Sequence, residues 1–417
     1  MSHNANSMKT CILVDNHFRG GVATVLLTLL RGQCEEDIEF VLVTNINNPM
    51  LGNLDIGRAE LTKVILFQFI STSNWFAGTS PWISRNRFTL VINILRKIIK
   101  PFLLVHQTFY FARLFKTENF EALLNVNGGY PGSITSRAAA LAWSRSSSSA
   151  GRHIMAIHNF ATPSRLGLRS IDRVIDRKVI STIDEVITVS ESCRQSFINR
   201  SSLDAHGKIK VIPNGLETFI REISKREVFR KSLNVNTDQP VILMLGSYET
   251  RKGHKYLIES FSKFSKLIPS ARLVCAGDDP NQMIRGLKIQ IREHGLEDSI
   301  TLLPFQSDVS GLLEACDIVA ISSQSYESFC LVAVEAFRFA KPIVGTNVGA
   351  IPEIAPHGFG AILCDPDDVD SFSKALFRLS TDRAFYTEYS QLSGARFELF
   401  GAEKMIQSYQ KSLKGEL

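Results

Sequence analysis

Short apolar runs alternate with amphipathic stretches along the whole chain. Each run is almost continuously apolar and is bounded by turn residues, which is typical of buried parallel strands. In the first half the runs occupy residues 10–15, 39–44, 63–67, 153–158, 185–190 and 210–213. In the second half they occupy residues 241–246, 271–277, 299–305, 317–323, 341–347 and 360–365. This alternation predicts an α/β protein with two doubly wound, Rossmann-like domains in series.

The boundary between the two domains is expected just after the sequence KVIPNG, which ends at residue 215. A polar helical stretch then precedes the next strand. We expect an N-terminal domain over residues 1–216 and a C-terminal domain over residues 217–397. A final helix within residues 398–417 is expected to cross back to the first domain. This organisation predicts a ligand-binding cleft between the domains.

The composition is that of an ordinary globular protein. Of the 417 residues, 44% are apolar and 21% are charged, which excludes the disordered and fibrous classes. Seven cysteines without a Cys-x-x-Cys pair predict neither a disulfide framework nor a zinc site, and they favour a reducing cytoplasm. No apolar run reaches the ~18 to 20 residues that span a bilayer, and the polar start lacks the apolar segment of a secretory signal. We therefore expect a cytoplasmic protein.

Basic residues concentrate in the first half. Residues 1–215 hold 24 Lys and Arg against 15 Asp and Glu, whereas residues 216–417 hold 23 against 26. Within residues 61–150 there are ten basic and two acidic side chains, and an apolar stripe runs at helical spacing from Phe88 to Ile99. This segment predicts an anionic partner: a membrane leaflet, a phosphate-bearing lipid or nucleic acid. The alternatives are a solvated basic face and a helix whose stripe packs on the sheet. Nucleic acid is disfavoured because the chain lacks a helix-turn-helix, zinc-finger or RNP signature.

The most informative segment runs from Tyr326 to Ile354. A strand is followed by a short loop with Glu327, and a helix is expected from residue 328 to about 339. Its first amides lack intrahelical partners and would form an anion site for a diphosphate. These amides belong to Ser328, Phe329, Cys330 and Leu331. Glu335 lies eight residues after Glu327, about 12 Å along a helix axis, which suits a ligand whose sugar lies at the helix start and whose ribose reaches Glu335.

This segment resembles the E-x7-E signature of retaining glycosyltransferases of family 4, which have the GT-B fold. The resemblance continues in GTNVGAIPEI and covers nearly the whole chain. Four further motifs occur in the family's order: Gly20-Gly21 before the first helix, AIHNF at 156–160, VIPNG at 211–215 and LGSYETRKGH at 245–254. The two glycines are expected to let the backbone turn tightly and approach a ligand. The resemblance implies two Rossmann-like domains, with the acceptor bound by the first and a nucleotide sugar bound by the second.

The resemblance also implies roles for individual residues. Lys252 would neutralise the leaving diphosphate, and His158 would face the hydroxyl groups of the donor sugar. The family's Gly-Arg pair is here Gly246-Ser247, so a guanidinium is missing that Arg251 is a candidate to replace. Cys330 stands where the family has Gly, and it would either select the donor sugar or simply pack. The resulting catalytic set is Glu327, His158 and Lys252, with donor contacts from the glycines, Ser247, Arg251, residues 328–331 and Glu335.

Paired carboxylates would ordinarily suggest double displacement, as in glycosidases. The position of Glu327 beside a phosphate-binding helix instead favours an electrostatic role toward the donor sugar. No Asp-x-Asp run lies near the site, so neither a metal nor another cofactor is implied, and Asp278-Asp279 is expected to be a loop. We expect a retaining, metal-independent hexosyltransferase that acts on a glycan or lipid-linked acceptor in cell-surface polysaccharide assembly, peripherally at the inner membrane face. The alternative, suggested by Ser247, is a catalytically weak GT-B subunit or nucleotide-sugar-binding regulator.

Overall fold

The computed structural model describes residues 7–15, 20–32, 38–53, 61–69, 88–146, 151–163, 169–201, 206–218, 224–236 and 238–416. Contacts divide the chain into two compact units. The first unit comprises Met1–Pro213 with Glu403–Leu417, and the second comprises Asn214–Ala402. These limits differ by a few residues from the boundaries expected from the sequence.

The first unit is built on a parallel sheet. Its strands are β1 (Met8–Val14), β2 (Ile38–Asn45), β3 (Leu61–Phe67), β4 (Ala122–Asn127), β5 (Arg152–Ile157), β6 (Glu185–Thr188) and β7 (Ile209–Val211). Its helices before residue 213 are α1 (Gly21–Arg31), α2 (Phe88–Glu118), α3 (Ile134–Trp143), α4 (Arg169–Ile180) and α5 (Glu191–Ser201). The strand order is β3-β2-β1-β4-β5-β6-β7, with parallel pairing throughout. The direction of winding therefore reverses between β1 and β4.

The second unit repeats this plan. Its strands are β8 (Val241–Leu245), β9 (Arg272–Ala276), β10 (Ile300–Leu303), β11 (Ile318–Ile321), β12 (Ile343–Thr346) and β13 (Ala361–Cys364). Its helices are α6 (Ser224–Ser232), α7 (His254–Leu267), α8 (Ile284–Glu293), α9 (Ser310–Ala315), α10 (Leu331–Arg338), α11 (Ile351–Ile354), α12 (Val369–Thr381) and α13 (Arg383–Phe397). The parallel order β10-β9-β8-β11-β12-β13 reverses between β8 and β11.

The chain enters and leaves the second unit at neighbouring points. Leu216 forms an isolated parallel bridge with Gly401. The Leu216 amide donates to the Phe400 carbonyl at 2.9 Å, and the Ala402 amide donates to the Leu216 carbonyl at 3.0 Å. The last helix, α14 (Ala402–Lys414), then belongs almost entirely to the first unit. It begins four residues after the start of the segment expected to hold it.

The long helix α2 packs one face into the core of the first unit. Its Phe111 and Phe115 are fully buried, and Phe115 lies edge-on to Trp143 at 5.4 Å between ring centroids. The helix continues through Pro101 to Glu118, well beyond the apolar stripe expected at helical spacing from Phe88 to Ile99. The side chains of residues 88–98, which include most of the predicted apolar stripe, lie outside the described residues. No helix within the described ranges is long and apolar enough to cross a bilayer.

Candidate functional site

The candidate site in the second unit lies where the winding of its sheet reverses. β8 and β11 are neighbours, but their connections lead to opposite sides of the sheet. The loops that follow them therefore open beside each other at the carboxyl ends of the strands, which is where open α/β sheets bind ligands. Lys252 follows β8 and Glu327 follows β11. The topology alone brings together these two residues, which are 75 positions apart in the sequence.

The two loops are joined through their backbones. Gly253 has a φ of 76° between a short 3₁₀ turn (Thr250–Lys252) and α7, and a side chain there would overlap the Ser322 carbonyl. The Ser322 hydroxyl donates to the Lys252 carbonyl at 2.9 Å. The Gln324 amide donates to the Arg251 carbonyl at 2.8 Å. These contacts fix the position of the Lys252 backbone relative to the loop that follows β11.

Lys252 and Glu327 form the charged centre of this site. The Lys252 ammonium donates to Glu327 Oε2 at 2.5 Å, and the Ser323 hydroxyl donates to the same oxygen at 3.2 Å. The Arg251 guanidinium lies 3.6 Å from it. Burial alone would raise the pKa of Glu327, but the charges of Lys252 and Arg251 and the donated hydrogen bonds outweigh burial and lower that pKa. Glu327 is therefore an ionised carboxylate at neutral pH.

A third loop supports the Glu327 backbone. The Ala350 amide, after β12, donates to the Glu327 carbonyl at 2.8 Å. Gly349 has a φ of 56°, and a side chain there would overlap the backbone of Glu327. Two requirements therefore select glycine at this position: the left-handed backbone and the close approach of another chain segment. The loop of the VGAIPE motif thus sets the position of the Glu327 backbone.

Glu335 lies within α10 in a different environment. The residue as a whole is half-buried, and no described residue forms a hydrogen bond with its carboxylate. Burial raises its pKa to about 7, against the opposing effect of the Arg338 charge. Because nothing within the described residues satisfies this carboxylate, it is available to accept hydrogen bonds from a ligand.

The start of α10 corrects one expectation. The helix begins at Leu331 rather than at Ser328, so the predicted amide set belongs mostly to the preceding loop. The reason is Cys330, whose φ of 71° and ψ of 66° are left-handed and cannot continue a right-handed helix. Phe329 is buried, with its ring 6.1 Å from that of Phe400. The first-turn amides of α10 therefore begin at Leu331 and not at Ser328.

The left-handed backbone also explains the family's glycine at position 330. The Cys330 thiol is buried, and burial together with the nearby charge of Glu327 raises its pKa to about 12. Lys252 and Glu335 also influence this thiol electrostatically. Cys330 therefore lies among the predicted site residues as a neutral side chain in a strained conformation.

Other predicted residues fall around this centre. Ser247 lies in the same loop, where its carbonyl accepts from the Glu249 amide at 2.7 Å. Arg251 donates from Nε to Glu249 Oε2 at 2.7 Å, and its guanidinium lies over the ring of Tyr326 at 5.3 Å. Arg251 is the middle residue of the 3₁₀ turn, and from there its guanidinium approaches the carboxylate of Glu327. Asp279 accepts from the amides of Met283 and Ile284, at 2.6 and 3.2 Å, so its carboxylate holds the start of α8 from the preceding loop.

The edge of the first sheet carries the remaining predicted residues. Gly20 caps α1, and Gly21 is its first residue. Gly20 does not make the predicted tight turn: its φ of 172° and ψ of 176° are extended, a conformation open to any residue. His158 follows β5, is buried, and its amide donates to the Asn127 carbonyl at 2.9 Å. The structure therefore links His158 to the last residue of β4.

Sequence reasoning missed several supporting residues. Ser323 and Gly349 lie inside or beside recognised motifs, so the motif itself could have indicated them. Asp176 and Arg200 form a buried ion pair at 3.0 Å, and Tyr130 donates to Asp176 at 2.9 Å. No local pattern connects residues so far apart in the sequence. Among the described residues, no group of three or more His, Cys, Asp or Glu could hold a metal ion.

Two family models match the chain in succession. The family described as Glycosyltransferase Family 4 matches residues 19–218, and that described as Glycosyl transferases group 1 matches residues 225–393. The first match covers the described sheet edge with Gly20 and His158. The second covers Lys252, Glu327 and Glu335.

Individual relatives agree with these families. An uncharacterized glycosyltransferase of Methanocaldococcus jannaschii is 30% identical over 56% of this chain and 61% of its own length. The D-inositol 3-phosphate glycosyltransferase of Mycolicibacterium smegmatis is 26% identical over 57% of this chain and 55% of its own length. The chain thus spans little more than half the length of these curated relatives.

A solved structure reproduces the fold. HepE of Anabaena, crystallised with UDP and glucose, superimposes with a TM-score of 0.75 at 18% identity, covering 98% of this chain and 100% of that protein. Two glycosyltransferase family models matched in succession and a shared architecture of two Rossmann-like α/β domains lead to one conclusion: the chain has the GT-B fold and resembles the family 4 glycosyltransferases.

Proposed function

We propose that this chain transfers a hexose-type sugar from a nucleoside diphosphate sugar to a glycan or lipid-linked acceptor, with retention of the anomeric configuration and without a metal. The observation that carries the proposal is the cationic pair Lys252 and Arg251 around the ionised Glu327, at the point where the second sheet reverses. In this proposal the second unit binds the donor, and the first unit binds the acceptor.

The cations account for the leaving group. A diphosphate gains negative charge as its bond to the sugar breaks, and a positioned cation stabilises that charge most in the transition state. Lys252 is only 16% exposed at its side chain, so its charge is less screened by water than that of a surface lysine. Arg251 stands close enough to contribute where the family's arginine is replaced by Ser247.

The carboxylates account for the sugar and the ribose. The lowered pKa of Glu327 keeps it ionised, so it suits accepting sugar hydroxyl hydrogen bonds and stabilising positive charge on the ring, and it does not suit donating a proton. Glu335 has no described hydrogen-bond partner, so two ribose hydroxyls would satisfy it. We propose no covalent bond to either carboxylate.

In the proposed step, the bond between the anomeric carbon and the diphosphate oxygen breaks, and the oxygen of an acceptor hydroxyl bonds to the same face of that carbon. The electron pair of the broken bond leaves with the nucleoside diphosphate. The acceptor proton passes to the departing diphosphate, so no protein base is needed. In this proposal His158, which belongs to the first unit, contacts the hydroxyl groups of the donor sugar.

The test uses the purified chain with UDP-, GDP-, ADP- and dTDP-sugars. We expect one nucleoside diphosphate to raise the melting temperature, its sugar to be transferred or slowly hydrolysed, and EDTA to leave the rate unchanged. An α-linked donor should give an α-linked product by NMR. Binding without consumption of any donor would instead support the alternative of a catalytically weak subunit. An inverted product would overturn retention alone.

A second feature supports a membrane setting for this activity, with cytoplasmic assembly of surface polysaccharide at the inner face. Phe102, Val105 and Phe109 of α2 are 72%, 55% and 69% exposed and lie on one helical face, because they are three and four residues apart. The exposed Arg113 and Lys116 continue the same face by helical spacing. An apolar stripe that ends in basic residues matches the chemistry of an anionic bilayer surface.

Sedimentation with vesicles tests this setting. Binding should rise with the fraction of anionic lipid and fall with salt, since the Debye length is ~10 Å at 0.1 M. Two double variants should each weaken vesicle binding. One combines Phe102→Ala with Phe109→Ala, and the other combines Arg113→Gln with Lys116→Gln. Phe359→Ala is the matched control, because Phe359 is 57% exposed in the second unit. A wild-type chain that stays in the supernatant would favour the solvated basic face.

A further inference from the structure

One face of α5 contacts the backbone of the loop that follows β5. Cys193, Ser196 and Arg200 are three and four residues apart, so they share that face. The Cys193 thiol donates to the Asn159 carbonyl at 3.3 Å, and the Ala161 amide donates to the Ser196 hydroxyl at 2.9 Å. These contacts lie immediately after His158, so α5 determines the path of the chain at that residue.

Arg200 completes this set and extends it. Its guanidinium donates to the Thr162 carbonyl and pairs with Asp176 of α4 at 3.0 Å, with both side chains at most 4% exposed. The Tyr130 hydroxyl donates to the other oxygen of Asp176 at 2.9 Å. Tyr130 follows β4, and its carbonyl accepts from the Thr162 amide at 2.8 Å. One buried network therefore joins the loops after β4 and β5.

The protonation states in this network are determined by burial. Burial, followed by the charge of Asp176, raises the pKa of Tyr130, so its hydroxyl remains a donor. The Arg200 guanidinium also lies over the Tyr130 ring at 5.4 Å. A buried ion pair is seldom more stabilising than well-packed apolar residues, because both charges lose their hydration. The value of the network therefore lies in the geometry that it imposes on the loops.

We propose that Arg200, with Asp176 and Tyr130, is a positioning network for sugar transfer, holding the His158 loop in register with the loop after β4. The inference rests on the proposed function, and it adds residues that act through His158 without touching substrate. A displacement of about 1 Å at a reacting group can cost on the order of 100-fold in rate. Loosening the loop by one lost contact should therefore slow transfer measurably.

The experiment is a double-mutant cycle on transfer rate, with UDP affinity measured in parallel. Arg200→Lys should lower kcat by roughly tenfold or more in wild-type protein and should have little further effect in a His158→Ala background, since positioning has nothing left to act on. The affinity for UDP, or for whichever nucleoside diphosphate raises the melting temperature, should not change, because the proposal assigns the nucleotide to the second unit. Arg194→Ala is the matched control: Arg194 lies on the same helix in an exposed pair with Glu191, and its loss should leave every rate unchanged.

Tyr130→Phe is the second variant, for the case in which Arg200→Lys does not fold. It keeps the buried ring and removes only the hydroxyl that donates to Asp176. It should lower kcat by severalfold and speed hydrogen exchange of the amides at 158–162. Independent, multiplicative effects of Arg200→Lys and His158→Ala would overturn the inference, as would an unchanged rate in folded Tyr130→Phe. A wild-type chain that binds UDP but turns over no donor overturns the proposed function, and the inference with it.

Discussion

The two sheets reverse direction in the same way, yet the two units use charge differently beside the carboxyl ends of their strands. In the second unit, Lys252 and Glu327 lie at the sheet edge with 16% and 10% of their side chains exposed. In the first unit, Arg200 and Asp176 are 3% and 4% exposed, and their contacts go to backbone and to Tyr130. The charged pair of the second unit is partly exposed, whereas that of the first unit is buried and holds its loops together.

Under the proposed function, this difference corresponds to two chemical tasks. A leaving diphosphate develops charge, so cations and a polar cradle lower its barrier directly. An incoming hydroxyl group is neutral, and its reaction depends mainly on orientation. The comparison teaches that similar folds can divide a reaction into electrostatic and positional parts. Changes at the second edge should therefore affect chemistry and nucleotide binding, while changes at the first should affect rate alone.

The largest expected effect comes from Lys252→Ala. Loss of this cation should lower kcat by roughly 100- to 1,000-fold, the usual scale for one preorganised electrostatic contact. Lys252→Arg should recover part of the rate because the charge remains. The control is Lys263→Ala, since Lys263 forms a surface pair with Asp370 in the same unit. Steady-state kinetics of the three variants checks this. Equal kcat for Lys252→Ala and wild type would contradict the proposal that the charge of Lys252 stabilises the leaving diphosphate.

Gly349→Ala should have the next largest effect. A methyl group there meets the backbone of Glu327 and disfavours the left-handed φ of 56°, so the carboxylate must move. We expect a loss of roughly 100-fold in kcat with smaller change in nucleotide affinity. Gly286→Ala is the control, because a methyl group at Gly286 meets nothing within 4 Å. If both variants retain wild-type rates, the VGAIPE loop does not position Glu327.

Glu335 should give the smallest but most specific effect. Glu335→Ala should weaken UDP binding by about tenfold, on the scale of one lost charged hydrogen bond. Ribose hydroxyls favour the ionised carboxylate, so wild-type affinity should rise as pH increases through about 7, and binding near that pH should release a proton. Calorimetry in buffers of different ionisation enthalpy measures that proton. If Glu335→Gln still releases this proton on binding, the proton comes from another group.

The same pKa has a consequence for stability without ligand. Because the folded pKa of Glu335 is raised, the native state binds a proton that the unfolded state has lost, between the ordinary value of about 4.5 and about 7. Wild-type stability should therefore fall relative to Glu335→Gln as pH rises through that window. Urea unfolding of both proteins at pH 5 and pH 8 gives the difference.

Much of the fold was predictable because it follows from local patterns. Each predicted strand coincides with an observed strand to within about two residues at either end, as for EFVLVT at 39–44 and β2 at Ile38–Asn45. The members of the charged centre were predictable because each lies in a continuous motif: Glu327 in residues 326–354, and Arg251 and Lys252 in residues 245–254. The prediction of the helix start at Ser328 was wrong, since Cys330 takes a backbone conformation that cysteine rarely adopts.

The rest depends on contacts between distant segments. The Arg200–Asp176 pair forms because α4 and α5 bring residues 24 positions apart together, and no spacing rule indicates such a pair. The continuation of α2 past Pro101 likewise depends on tertiary packing, since Phe111 and Phe115 are buried in the core on the far side of the proline. Intrinsic propensity would end the helix there, and packing overrides it.

The bridge between Leu216 and Gly401 has a consequence for how this chain can be recombined. Because the two ends of the second unit are tied side by side, residues 214–402 form a cassette with adjacent termini. Inserting or exchanging such a cassette needs only two junctions and adds little loop-closure entropy. A lineage or an engineer can therefore exchange the whole cassette at these two junctions while the rest of the chain keeps its own sheet.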